Sequence, residues 1–291
     1  MRRLALAASV ALLSALPGLA QDQDASRVLS LGGTVTEIVF ALDQQDRLIG
    51  RDTTSGYPPQ ALELPDVGYM RQLSPEGVLS VGPDLILSDE GSGPPEAIAV
   101  LKAAGIPFVE VPDGFDGEAI ALKVTTIAEA LGVPERGQAL ADRLRGELDE
   151  VARRNARQDD PRRVLFVLST QGGRVMAGGE GTSADAIIAL AGGRNAISGV
   201  QGYKQITDEA IAAAAPDVIL MMDRSRGGPP SGSAEVLAMP AFAPTPAARD
   251  GALIHMDGLL LLGFGPRTAE AAVELHRALY GNEGEDGDGG A

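Results

Sequence analysis

One phrase occurs twice in this chain, and few architectures can accommodate that. Ser74-Pro-Glu-Gly-Val-Leu-Ser-Val-Gly-Pro-Asp-Leu-Ile-Leu87 aligns without gaps on Thr207-Asp-Glu-Ala-Ile-Ala-Ala-Ala-Ala-Pro-Asp-Val-Ile-Leu220 at a constant offset of 133. A second echo, Arg27-Val-Leu-Ser-Leu31 on Arg163-Val-Leu-Phe-Val167, has an offset of 136. Two matches in the same order at nearly one spacing describe two lobes of like design rather than a short-period solenoid.

The first copy carries its own local instructions. Ser74 can accept a hydrogen bond from an orphan amide of a first helical turn, and Pro75 lacks the amide that would be orphaned there. Glu76 puts negative charge at the positive end of the helix dipole. Gly82-Pro83 stops the helix, because Pro disfavours helical geometry at the residue before it, and Leu85-Ile86-Leu87 reads as a buried strand. Upstream, Arg27 to Leu31 reads as a strand, Gly32-Gly33 as a tight turn, and Thr34 or Thr36 as the cap of a helix through Val39 and Leu42. Leu48 to Arg51 is a second strand, 52–59 an irregular loop, and Asp66 to Leu73 an extended loop. Pro94 to Ala104 has helical spacing and Ile106 to Val111 reads as a strand. This alternation predicts a parallel sheet with helices on its faces, in which ligands gather at the carboxyl ends of the strands.

Glu118 to Leu131 reads as a helix ended by Gly132. From Pro134 to Arg157, Leu140, Leu144, Leu148 and Val151 recur at helical spacing, a segment about 36 Å long that reads as a spacer between lobes. Asp159-Asp160-Pro161 breaks it. The second lobe follows: a strand at Leu165 to Leu168, a turn at Gln171 to Gly173, a short apolar piece at Val175 to Ala177 and a helix from Ala184 to Ala191. Gly178 to Ser183 lacks the Lys of a P-loop and the GxGxxG spacing, so it reads as a tight turn and cap rather than a phosphate cradle. Residues 192–206 read as a loop with Tyr203, 223–233 as a loop with Arg224 and Arg226, and Ala252 to Met256 as a strand. Residues 257–267 read as a loop, and Thr268 as the cap of a last helix through Tyr280. The expected fold class is α/β: two Rossmann-like lobes with mainly parallel sheets joined by a long interlobe helix. The expected divisions are 21–117, a helical segment 118–158, and 159–280.

Aromatic residues make up only 3% of the chain, so both cores must be built of Ala, Val, Leu and Ile. Residues 1–20 combine Arg2-Arg3, an apolar run from Leu4 to Leu16 and the small-residue end Gly18-Leu-Ala20, the pattern of a secretory signal cleaved near Ala20 rather than of a membrane span. Its removal takes two Arg and no acid, moving the formal charge from −16 to −18. That acidity argues against nucleic acid and for a cationic or neutral partner. The chain has no Cys, hence neither disulfides nor a lipid-bearing Cys at the cleavage site. A periplasmic protein is expected, working as a monomer without direct membrane insertion of the mature chain. Residues 281–291, acidic and Gly-rich, read as a disordered tail.

No catalytic set is visible. His255 and His276 are the only histidines, neither at metal-ligand spacing, and no Ser has an evident base, so the chain does not read as an enzyme. Tyr69-Met70-Arg71 is more suggestive. In an extended segment, residues i and i+2 project to one side, so a phenol and a guanidinium can point together into a cleft. A phenol with a reference pKa near 10 becomes a good ligand when a cation lowers that pKa. On spacing alone, such a pair is more often plain surface. Glu76 and Glu209 hold equivalent places in the two repeats. Helix-dipole duty and docking of a pseudo-symmetric basic partner fit that spacing equally.

Four phrases carry a family resemblance. They are Leu29-Ser-Leu-Gly-Gly-Thr-Val-Thr-Glu-Ile38, Val67-Gly-Tyr-Met-Arg-Gln-Leu-Ser-Pro-Glu-Gly77, Gly181-Thr-Ser-Ala-Asp185 with Ala191-Gly-Gly-Arg-Asn-Ala196, and Met256-Asp-Gly-Leu-Leu-Leu-Leu-Gly-Phe-Gly-Pro-Arg267. From about Arg27 to Tyr280 the chain resembles the periplasmic haem-binding proteins of bacterial haem ABC importers, in the class of two-lobed binding proteins joined by one long helix. That class also includes cobalamin and siderophore binders. The resemblance implies haem b carried in an interlobe cleft, with Tyr69 as axial ligand of the iron and Arg71 bonded to its phenolate oxygen. It also implies Arg224 facing the cleft from the second lobe, and Glu76 and Glu209 docking the protein on the ABC permease. Some relatives offer a second-lobe His near 169–173. This chain has none there, which leaves the other side of the iron open, held by water or faced by Arg224. The absence of Trp and the presence of only six Phe imply a pocket lined by aliphatic and Met side chains.

Overall fold

Helices and strands fall where the punctuation of the chain puts them, and they assemble into two sheets. The structure, a computed structural model, describes residues 25–156, 158–223 and 232–281. The leader, Arg224 and Arg226, and the acidic tail from 282 lie outside the described residues.

The first sheet is built from β1 (Val28–Leu31), α1 (Gly33–Ala41), β2 (Leu48–Arg51), α2 (Pro75–Ser80), β3 (Leu85–Asp89), α3 (Pro95–Ala103) and β4 (Phe108–Val111). Its order is β2-β1-β3-β4, every pair parallel. All four residues of β1 are buried, as expected of a parallel strand covered on both faces. Gly32, not a threonine, stands at the N-cap of α1 and gives no side-chain cap. Thr34 and Thr36 lie inside that helix and bond elsewhere, because the turn from β1 leaves no room for a side-chain cap: a Cβ on Gly32 would come within 2.8 Å of Asp89.

Two helices follow, α4 (Gly117–Ala130) and α5 (Pro134–Asn155). The 22 residues of α5 extend about 33 Å. Leu140, Leu144, Leu148 and Val151 are its buried stripe. It packs on α4 along one part and on the C-terminal elements along another. A Cβ on Gly137 would come within 2.3 Å of the Ala128 methyl group, so the close α4–α5 crossing needs glycine there.

The second sheet contains β5 (Arg163–Ser169), β6 (Val175–Gly178), α6 (Ser183–Leu190), β7 (Arg194–Asn195), β8 (Tyr203–Ile206), α7 (Asp208–Ala214) and β9 (Val218–Asp223). The chain ends with α8 (Ser233–Leu237), α9 (Pro246–Asp250), β10 (Leu253–Asp257), α10 (Gly258–Leu262) and α11 (Thr268–Tyr280). The sheet order is β10-β9-β5-β6-β8, with β7 on β5. β6 runs antiparallel to both its neighbours and the other pairs are parallel. Three sequence expectations need correction here. Residues 192–206 are not all loop, since Tyr203–Ile206 ladders onto β6 from Val175↔Ile206 to Gly178↔Tyr203. Within 257–267, Asp257 accepts from the Leu260 amide at 2.8 Å and opens α10. Thr268 does not cap the last helix; it is the first residue of α11, and its hydroxyl donates to the Gly265 carbonyl at 2.8 Å. The 178–183 stretch is a turn and cap as expected, Thr182 accepting from the Asp185 amide at 3.1 Å.

The lobes share a core. One apolar cluster runs from Val28 and Leu87 through Val124 and Leu144 to Phe166 and Leu220. Polar contacts add to it. The Thr34 hydroxyl donates to the Gly263 carbonyl at 2.7 Å, and Lys123, 2% exposed, donates to the Phe264 carbonyl at 3.3 Å and the Gly114 carbonyl at 3.1 Å. Arg267 grips Glu37 through two bonds of 3.1 and 3.0 Å and stacks 3.5 Å from the Tyr57 ring centroid. Burial pushes the Glu37 carboxyl above its ordinary range, against the pull of Arg267.

Candidate functional site

The carboxyl ends of β1, β2 and β3 hold the segment that the resemblance points to. Residues 65–68 run beside β2: the Arg51 amide donates to the Pro65 carbonyl, and the Val67 amide to the Arg51 carbonyl, both at 2.9 Å. The buried Arg51 guanidinium holds the same segment through Asp66 at 3.0 Å and the Ala61 carbonyl at 3.0 Å. On the other side, the Gly93 amide donates to the Met70 carbonyl and the Leu73 amide to the Gly93 carbonyl, both at 2.9 Å. Tyr69 therefore stands between two anchored backbone stretches.

The extended geometry expected for Tyr69 to Arg71 holds only at Tyr69. Met70–Gln72 form a 3-10 turn, closed by the Gln72 amide on the Tyr69 carbonyl at 2.8 Å. The bonds from Gly93 bend the chain there, and these are tertiary contacts that local sequence does not reveal. The i, i+2 argument for a common side therefore falls. What the turn does is bury Met70 at 7% exposure and leave Tyr69 41% exposed, with Arg71 exposed beside it.

The hub of the arrangement is Asp52, which the sequence reading passed over as a turn residue. Fully buried, it accepts from the amides of Gly32, Thr54 and Met70 and from the hydroxyls of Thr54 and Ser55. The stretch Asp52-Thr-Thr-Ser55 straight after a strand was the available signal: short polar side chains that bond nearby backbone.

The C-terminal lobe comes up to this edge. Leu259, at the start of α10, lies against Gly33, where a Cβ would be 2.6 Å away. Met222, on β9, is beside Gly258. Asp89 closes the end of β3 and accepts from the Gly91 amide at 2.9 Å. Burial pushes its carboxyl up, the Gly91 bond opposes this, and the charges of Asp113, Lys123 and Arg71 act on it as well. Among the described residues, recesses lie elsewhere: one of about 910 Å³ beside Tyr57 and Arg267, one of about 600 Å³ between Val151 and Val273, and one of about 330 Å³ between Phe115 and Phe264, and of these the first and last flank the lobe junction. None of them has Tyr69 in its wall.

Glu76 and Glu209 are both exposed in the first turns of their helices. Bonds from its own amide and from Thr207 hold the Glu209 carboxyl below its ordinary range, so part of its role is at the helix end. Among the described residues there is no group of three or more His, Cys, Asp and Glu side chains able to hold a metal ion. Nor is any helix among them long and apolar enough to cross a membrane.

Comparison with known proteins is decisive for the family. A model of the periplasmic binding protein family matches residues 28–259. The chain belongs to that family. Among solved structures, it is similar to the periplasmic heme-binding protein BhuT in complex with two hemes, at 43% identity and TM-score 0.81, covering 87% of this chain and 97% of that one. It is also similar to the periplasmic heme-binding protein RhuT from Roseiflexus sp. RS-1 in apo form, at 38% identity and TM-score 0.83, covering 88% and 98%. Among curated relatives, a vitamin B12-binding protein of Yersinia pestis is 30% identical over 217 residues, 74% of this chain and 75% of its own length. The two α/β lobes with mainly parallel sheets are the architecture this family member was expected to have.

Proposed function

We propose that this periplasmic binding protein carries haem b, captured between its lobes and delivered by a monomeric carrier to an inner-membrane ABC permease. Tyr69 is the axial ligand of the iron. Arg71 stands beside it to favour the phenolate. Glu76 and Glu209 dock the two lobes on the permease. The observation that carries this reading is an exposed phenol two residues from an exposed guanidinium, on an anchored loop at the carboxyl end of a parallel sheet, in a chain 43% identical to a heme-binding protein.

The chemistry is elementary. A free phenol with a reference pKa near 10 is protonated at neutral pH and binds metal poorly. Ferric iron favours the phenolate, as does a neighbouring guanidinium, and tyrosinate is a known axial ligand of haem. The resemblance adds Arg224 to the proposed haem contacts; it lies outside the described residues.

Kinship with a vitamin B12-binding protein favours a second reading, cobalamin on the same scaffold. Parallel titrations of the apo-protein with hemin and with cyanocobalamin separate the two. Saturable binding of hemin at one defined stoichiometry, with no cobalamin heat or spectral change, is expected. Cobalamin binding beside a flat hemin titration would overturn the haem reading.

A further inference from the structure

We propose that Asp52 is the positioning residue of the Tyr69 loop: its buried carboxylate sets where the phenol stands, and therefore how long a ferric porphyrin stays bound. This rests on the reading of Tyr69 as the iron ligand given above.

The geometry is specific. Asp52 Oδ1 accepts from the Gly32 amide at 3.0 Å and the Ser55 hydroxyl at 2.7 Å. Its Oδ2 accepts from the Thr54 amide at 2.9 Å, the Thr54 hydroxyl at 2.8 Å and the Met70 amide at 3.3 Å. These donors come from three separate places: the β1–α1 turn, the loop after β2, and the residue next to Tyr69. All are neutral. A carboxylate taken out of water is tolerated only when its lone pairs are met, so each donor is held to the same point. Behind Ser55 the network continues to Thr36 and Ser30 through contacts of 2.7 Å each, and all four side chains are fully buried. The Thr54 hydroxyl also lies 3.8 Å from the Met70 sulfur, which fixes the buried side chain adjoining the exposed phenol. Alongside the backbone anchors from Arg51 and Gly93, this carboxylate ties the Met70 end of the Tyr69 loop to the β1–α1 turn and to the loop after β2.

Asp52→Asn tests this with minimal change of shape. An amide has one acceptor oxygen and one donor nitrogen, so whichever way it turns, donors face a donor on one side. The hydroxyls of Ser55 and Thr54 can turn to accept, but the backbone amides cannot, so either the Gly32 bond or the Thr54 and Met70 amide bonds are lost. Hemin dissociation from the full-length variant should quicken about tenfold, the scale on which outer-shell partners act on metal affinity, and its iron–phenolate charge-transfer absorption should shift and broaden. Asp217→Asn, which removes a carboxylate far from this loop, serves as the control for lost stability and should leave both readouts at the wild-type value. Should Asp52→Asn fail to fold, Thr54→Val removes one donor to Asp52 together with the acceptor of the Gly33 amide while keeping the shape, and a smaller change in the same direction is expected. Wild-type dissociation and an unshifted band in Asp52→Asn, or in Thr54→Val as the fallback, would overturn the positioning role. If instead the wild-type hemin spectrum survives Tyr69→Phe, the ligand assignment falls and the positioning role falls with it, a distinguishable result.

Discussion

Ahead of the two copies of the repeated phrase stand two different kinds of structure. In the second lobe, β8 runs straight into Thr207, its residues laddered onto β6. In the first lobe the same place is taken by the loop from Asp52 to Leu73, whose order comes from Arg51, Asp52 and Gly93. Downstream the copies agree. Ser74 accepts from the Gly77 amide at 3.5 Å and Thr207 from the Ala210 amide at 3.3 Å. Asp84 accepts from the Arg27 amide at 2.9 Å and Asp217 from the Arg163 amide at 2.8 Å. Val28 faces Leu85 across the first sheet as Val164 faces Val218 across the second. The repeat is mainly scaffold, and the haem ligand proposed above lies in the part that was not repeated.

The sharpest break of that comparison is between the two tyrosines that precede the copies. Tyr69→Phe should weaken hemin binding by at least about tenfold and leave thermal stability unchanged, because its ring is largely exposed. Tyr203→Phe should do the reverse. Its hydroxyl meets Ser183 at 3.0 Å and its ring packs edge-on against Phe166, so hemin affinity should hold while urea unfolding loses about 1 kcal/mol.

Next come the two acids that the copies share. Glu76→Arg with Glu209→Arg should abolish stimulation of the permease ATPase by the hemin-loaded protein and leave hemin affinity intact. Each single variant should retain part of the stimulation. Full stimulation by the double variant would return both residues to helix-end duty alone.

The smallest expected effect separates the two Pro-Asp corners. Arg163 bonds Asp217 through its side chain at 3.0 and 2.6 Å, whereas the Arg27 guanidinium turns instead to the carbonyls of Val81 and Gly82 at 2.6 and 2.7 Å. Hydrogen bonds from Arg163 hold the Asp217 carboxyl below its ordinary range, against a smaller opposing effect of burial. A depressed folded-state pKa contributes stability that is present above the unfolded value near 4 and lost as pH falls through the folded one. Asp217→Asn should therefore cost on the order of 1 kcal/mol at pH 7, and its stability should converge on that of the wild type as pH falls through the lowered folded-state value. Asp84→Asn should cost less, since an amide oxygen can still accept from the Arg27 amide.

Much of the scaffold was legible because its signals are local. Ser74-Pro75-Glu76 marks a helix start by itself, the stripe of Leu140, Leu144, Leu148 and Val151 marks the spacer, and the Pro-Asp corners mark the strand entries. What escaped depends on partners distant in sequence. Tyr203–Ile206 sits after Gly192, Gly193, Gly199 and Gly202, which read as loop, and only β6 makes it a strand. The α10 helix hides among Gly258, Gly263, Gly265 and Pro266, and its cap is one Asp. Tyr69 and Arg71 stood out as a phenol two residues from a guanidinium and took a role only from the resemblance, and the turn between them is imposed by Gly93. Asp52, bonded locally to Thr54 and Ser55, looks like any turn residue until the amides of Gly32 and Met70, 20 residues before it and 18 after, are in place. Arg224 falls outside the described residues and stays an expectation of the resemblance.

The central claim is that the Tyr69 phenolate coordinates the iron of a porphyrin held between the lobes. Resonance Raman spectroscopy of the ferric hemin complex, excited in the charge-transfer band, tests it most directly. Tyrosinate ring modes enhanced in the wild type and absent in Tyr69→Phe are the predicted result; hemin bound with no tyrosinate modes, or with modes that persist in Tyr69→Phe, would contradict it.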